Sequence, residues 1–163
     1  MAAAKLIVCE KSGTWATALR RELAADEMRV YETRSLAECC DELRAAPASF
    51  VLCEATAANV ANVCEFLAWL ARRRPDTRAV VAANANAAEF ADLFYEAGAI
   101  HVVTNARALR VAANLVRRHL QRFPAQQDSL RTQLWSRLPW SESSATGAVG
   151  SASEAADNGP LSK

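Results

Sequence analysis

Ser49-Phe50-Val51-Leu52-Cys53-Glu54 is the stretch from which the fold is read. Four apolar residues follow Ser49 without interruption and end on a carboxylate. So short and continuous an apolar run suits a strand buried on both faces, as in a parallel sheet with helices on either side. The loop behind it, residues 55–59, contains neither Pro nor Gly.

Outward from this strand, strand and helix alternate five times. Residues 5–9, 29–33, 78–83 and 100–104 read as the other strands. Helices are expected over 15–25, 36–46, 59–74, 87–97 and 106–123. Trp15, Ala18, Leu19 and Leu23 fall on one helical face, as do Val63, Phe66, Leu67 and Leu70. Phe90, Leu93 and Phe94 are expected to point inward from the fourth helix. Ser12, Thr14 and Ser35 offer N-caps, Gly98 a C-terminal stop, and Pro47, Pro75 and Pro124 helix ends. The alternation predicts a doubly wound five-stranded parallel α/β sandwich. Right-handed crossovers then bring the carboxyl ends of the strands to one edge, where ligands bind in such sheets. Glu10, Lys11, Glu54, Ala83 and Asn105 all fall at those ends.

Bulk composition narrows the function. The 163 residues carry a formal net charge of +1 with 23% charged side chains. No whole-chain field asks for nucleic acid or an anionic membrane. The first residues lack the basic-then-apolar pattern of a signal peptide, and no apolar run is long enough to span a bilayer. A cytoplasmic location is expected. The five cysteines, Cys9, Cys39, Cys40, Cys53 and Cys64, have no zinc-ligand spacing. Cys9 and Cys53 read as small buried hydrophobes. No cofactor, metal site or enzymatic nucleophile is expected, and His101 reads as structural.

The element order and lengths of residues 5–123 resemble a bacterial response-regulator receiver domain of the CheY type. The most specific local match is Glu96-Ala97-Gly98-Ala99, like the family's turn before the last strand. The resemblance implies an Asp phospho-acceptor ending the third strand and an acidic pair after the first strand that helps hold Mg²⁺. It also implies a Thr or Ser after the fourth strand, an aromatic in the fifth, and a Lys-Pro pair after it. Carried onto this chain, the acceptor position is Glu54 and the acidic pair is Glu10-Lys11. The hydroxyl position is Ala83, the aromatic position is Val102, and Asn105-Ala106 replaces Lys-Pro. Nearly every position departs, so the resemblance is to a degenerate pseudo-receiver.

Electrostatics gives the departures weight. Two unit charges ~4 Å apart interact by about 4 kcal/mol at an effective dielectric near 20, so an inward ammonium repels a divalent ion by roughly twice that. Glu54 also carries the acceptor oxygen one methylene further out. One reading places the Lys11 ammonium between the Glu10 and Glu54 carboxylates, in the seat of the metal. The other leaves all three as solvated strand-end residues without mutual contact.

Two further surfaces draw notice. The last helix carries Arg107, Arg110, Arg117, Arg118 and Arg122 with His119. This is either a partner surface, on the face of the fourth helix, fifth strand and fifth helix that the family uses, or a solvated helix face. Residues 1–124 are expected to form the receiver-like domain. Residues 125–140 read as a short amphipathic helix with Leu130, Leu134, Trp135 and Leu138, able to dock on its own domain or on a partner. Residues 141–163 read as a disordered tail. The expected role is a phosphorylation-independent protein-interaction or dimerisation module in bacterial signalling, without membrane or direct nucleic-acid binding. An active phospho-accepting receiver and a small-molecule sensor using the strand-end pocket stay open.

Overall fold

In the computed structural model, residues 3–123 are described; the expected segments at 125–140 and 141–163 lie outside them. Five parallel strands form one sheet: β1 Leu6–Cys9, β2 Val30–Thr33, β3 Phe50–Ala55, β4 Arg78–Ala83 and β5 His101–Val103, in the order β2-β1-β3-β4-β5. The central strands are the apolar ones: β1 and β4 flank β3, with Leu6 beside Phe50 and Phe50 beside Arg78. Five helices cover the sheet: α1 Thr14–Glu22, α2 Leu36–Ala45, α3 Val60–Arg73, α4 Ala91–Ala97 and α5 Leu109–Arg122. Alternation along each strand divides the core between the two faces. Ile7, Val51 and Val81 pack under Leu43, Val63, Leu67 and Phe94 of α2, α3 and α4. Leu6, Val8, Leu52 and Val80 pack under Leu19, Ala112, Ala113 and Val116 of α1 and α5.

Local signals account for most boundaries. Ser35 Oγ accepts from Glu38 N at 3.2 Å and caps α2, and Glu38 Oε2 accepts from Arg34 N, just before the cap, at 2.7 Å. Gly98 ends α4 at φ 116°, where a Cβ would meet Ala71 Cβ at 3.3 Å. Asn84 Oδ1 accepts from Ala87 N at 3.0 Å and caps the turn after β4. Two expectations fail. Ser12 and Thr14 do not cap α1, whose first residue follows Gly13 at φ 81°. The fourth helix opens with a 3₁₀ turn, Ala88–Phe90, which rotates the face of α4. Phe94 is buried while Leu93, expected inward, is 48% exposed.

Cys9, Cys39 and Cys53 are buried, and burial pushes each thiol above its ordinary range. Such thiols do not form the reactive thiolate at neutral pH. In the native protein a thiol reagent should modify the half-buried Cys40 and Cys64 first. Cys9, Cys39 and Cys53 should react on denaturation, as peptide mapping after timed labelling would read.

Candidate functional site: the carboxyl edge of the sheet

Glu10 follows β1 and is only 2% exposed. Its carboxylate turns back onto the first turn of α1. Oε2 accepts from Trp15 N at 2.9 Å and from Ser12 Oγ at 3.3 Å, and Oε1 accepts from Ala16 N at 2.6 Å. The N-terminus of a helix presents unpaired N–H groups and a partial positive charge, and here a carboxylate from five residues upstream satisfies both. Both Glu10 oxygens are thereby engaged.

Glu54 lies within β3, one residue before its end, and is half-buried. Its Oε2 accepts the backbone N–H of Lys11 at 3.1 Å. Asn59 Nδ2 donates to the Glu54 carbonyl at 3.1 Å, and Asn59 Oδ1 accepts from Thr56 N at 2.7 Å. These bonds hold the loop without Pro or Gly. Lys11 is exposed and forms no ion pair among the described residues. The ammonium bridge between Glu10 and Glu54, one of the two readings, is therefore absent, and the other reading also fails because Glu10 is buried and Glu54 does meet Lys11. Lys11 meets Glu54 through its main chain instead, because fixed amides compete well with a flexible ammonium that loses hydration and rotamer freedom on ordering.

The remaining strand ends diverge. Ala83 is fully buried and pairs with Ala55 in the sheet. Asn105 Oδ1 accepts from Ala108 N at 3.0 Å, capping the 3₁₀ turn that leads into α5. The open cleft at this edge, about 510 Å³, lies between β1, β3 and the starts of α2 and α3. Glu10, Lys11 and Glu54 line it with Arg34 and Asn59; Ala83 and Asn105 are not among its lining. The five predicted residues thus share an edge but not a cleft. Arg34 was missed. Its Nη1 donates to the Lys11 carbonyl at 2.6 Å, and its Nη2 stands 3.6 Å from Glu32 Oε2. The strand-end rule applied to β2, whose last residue is Thr33, would have found it.

On the far side, the β5 edge is blunted: Val102 N donates to Tyr95 Oη at 3.2 Å. Arg107, in the 3₁₀ turn before α5, and Arg110 and Arg118 on α5 are exposed. Arg117 does not belong with them. Its Nε and Nη2 reach Asp26 Oδ2 at 2.9 and 2.8 Å, and Nη2 donates to the Glu22 carbonyl at 2.8 Å. Arg117 ties α5 to the end of α1, so it is removed from the candidate partner surface. Arg117→Ala should lower the thermal midpoint measurably while Arg118→Ala leaves it unchanged, as paired melting curves would show. His119 is also inward: it is 7% exposed, and Nε2–H donates to the Ala48 carbonyl at 2.8 Å. The predicted Leu130, Leu134, Trp135 and Leu138 lie outside the described residues.

No protein-family model matches the sequence, and no curated protein matches it. Solved structures do. A response regulator from Thermotoga maritima is similar at a TM-score of 0.59 and 16% identity, over 70% of this chain and 97% of that one. The CheY-like protein TadZ from Pseudomonas aeruginosa is similar at 0.58 and 20% identity, over 75% and 97%. An orphan response regulator from H. pylori is similar at 0.54 and 15% identity, over 72% and 96%. The fold is that of a response-regulator receiver domain.

The receiver fold implies Mg²⁺ at this edge, and the donors here do not fit it. That ion takes one or two carboxylates together with phosphate and water oxygens in a tight octahedron. Glu10 is consumed by α1, Glu54 has one oxygen on the Lys11 amide, and the residue next to Glu10 is a lysine rather than a second acid. No cluster of three metal-binding side chains occurs among the described residues. No helix there is long and apolar enough to cross a membrane.

Proposed function

We propose that this chain is a phosphorylation-independent pseudo-receiver, a non-enzymatic module that binds protein partners or itself in bacterial signalling. The observation that carries the reading is the use of Glu10 as a cap for α1. A phospho-accepting site needs free carboxylate oxygens to place a divalent ion, and a cation and hydroxyl to neutralise the phosphoryl oxygens. Glu10 is spent on backbone amides, Asn105 caps a turn, and Ala83 has no hydroxyl. What remains is a rigid scaffold with exposed faces. The face of α4, β5 and α5 is the first of these, with Tyr95 and Val111 exposed among Arg107 and Arg110.

The full chain incubated with acetyl phosphate and Mg²⁺ should show no phosphoryl adduct by intact mass. Its sedimentation profile should be unchanged by that treatment. An adduct mapped to Glu54 would instead establish the active-receiver alternative.

A further inference from the structure

The opposite edge of the sheet, where the strands begin, carries arginines that no described acid neutralises. Arg78 opens β4; its Nη1 donates to the carbonyls of Pro75 at 2.6 Å and Thr77 at 3.0 Å, which fixes the guanidinium in place. Arg118 and Arg122, one turn apart on α5, line the same hollow of about 240 Å³. Its apolar lining comes from the half-buried Leu115 and from Ile100, above the fully buried Phe50. A second hollow of about 250 Å³, reaching Arg74 and Leu70, shares Arg78 and Ile100 with the first. Ile100 stands between them at 40% exposure. None of these arginines forms an ion pair among the described residues, whereas Arg20, Arg34, Arg44 and Arg117 all do.

A preference for cations at helix ends accounts for Arg122, in the last turn of α5. It does not account for Arg78, a strand residue aimed at the same hollow. Like charges gathered around exposed apolar surface make a complementary site for a partner that brings negative charge and an apolar side chain together. Among the described residues the aromatics near these arginines, Phe50, Phe123 and the Trp69 under Arg74, are buried or half-buried rather than exposed platforms for stacking bases, which disfavours nucleic acid.

We propose that this edge is a docking surface for an acidic protein segment, its carboxylates meeting Arg78, Arg118 and Arg122 and an apolar side chain covering Ile100. The surface draws Arg118 and Arg122 from α5 and so adjoins the α4–β5–α5 face, but it lies at the opposite edge of the sheet from the strand-end cleft and does not depend on the loss of phosphotransfer.

The test uses the full chain and a fluorescein-labelled peptide of alternating glutamate pairs and single leucines, read by anisotropy at low salt. Binding should weaken at least tenfold in Arg118→Glu/Arg122→Glu, and by a similar factor when serine replaces leucine in the peptide. Arg21→Glu/Arg72→Glu makes the same change in net charge at exposed positions of α1 and α3 outside both hollows and should leave binding within twofold. Ile100→Ser should weaken the leucine peptide and not the serine peptide. Equal losses in both double variants would overturn the proposal as unspecific charge attraction. Insensitivity to leucine, or tighter binding of duplex DNA or phosphatidylserine vesicles at the same arginines, would overturn it too.

Discussion

Glu10→Ala should destabilise the protein by about 3 kcal/mol, because the loss of a helix cap adds to two buried N–H groups left without acceptors. The carboxylate is nearly inaccessible and closes the first turn of α1 through Trp15 N and Ala16 N. Without it, the buried N–H groups of Trp15 and Ala16 lose their acceptor and the positive end of the helix dipole loses its counter-charge. Glu10→Gln retains one acceptor oxygen and should lose about half as much, roughly 1–2 kcal/mol. Urea denaturation followed by far-ultraviolet circular dichroism measures both. A loss for the alanine variant below about 1 kcal/mol, within the range of ordinary surface changes, would mean that the carboxylate is not the cap. It would also return Glu10 to the pool of possible metal ligands and weaken the case against phosphotransfer. Lys11→Asp tests the same point from the other side: one restored acid should not produce Mg²⁺-dependent amide shifts while Glu10 stays on α1.

His119→Ala should cost about 3 kcal/mol, combining a cavity with an orphaned carbonyl. The ring is edge-on to Phe50 at 5.5 Å between centroids and tilted on Phe123 at 5.1 Å. Its Nε2–H satisfies the Ala48 carbonyl, joining α5 to the loop before β3. His119→Phe preserves the aromatic packing and removes the hydrogen bond, so its loss should be smaller, about 1–2 kcal/mol. The same burial makes stability depend on pH. Desolvation lowers the imidazole below its ordinary value of 6.5, with Arg78 and Arg122 adding to the shift. The native state therefore binds the proton less well than the unfolded chain, and stability rises with pH across this interval. The contribution is complete above the unfolded value. It is lost as pH falls from about 6.5 through the lowered native value. Stability measured in steps from pH 8 to pH 5 should fall in the native chain by more than in His119→Phe. Parallel curves for the two proteins would show that the imidazole is already solvated or charged when folded.

These two residues also mark where sequence reasoning ran out. His119 reads as one more cation on an arginine-rich helix, because its neighbours Arg118 and Arg122 are exposed. One position of helical rotation separates it from Arg118, and the difference between solvent and core lies in where Phe50 and Ala48 sit. Glu10 reads as half of an acidic-basic pair because its partners are not at standard capping spacing. They are amides five and six residues on, brought near by the left-handed Gly13. By contrast, the Ser35 cap of α2 was legible at once, since the amide it accepts from, Glu38 N, lies only three residues on. Leu93 was misplaced because a short 3₁₀ entry shifts the phase of a helix without leaving a compositional trace.

Apolar run length, helical periodicity and punctuation by Gly, Pro and Ser were enough to specify five strands, five helices and a parallel sheet. Each of those features acts within a few residues of chain, where steric and hydrogen-bonding preferences are already expressed. The partner of each polar side chain at the sheet's two edges was set by tertiary structure: Glu10 on α1, Glu54 on the Lys11 amide, Arg34 on the Lys11 carbonyl, Arg117 on Asp26. A carboxylate or guanidinium bonds to whichever fixed donor or acceptor arrives within about 3 Å, and crossovers tens of residues long decide which one that is.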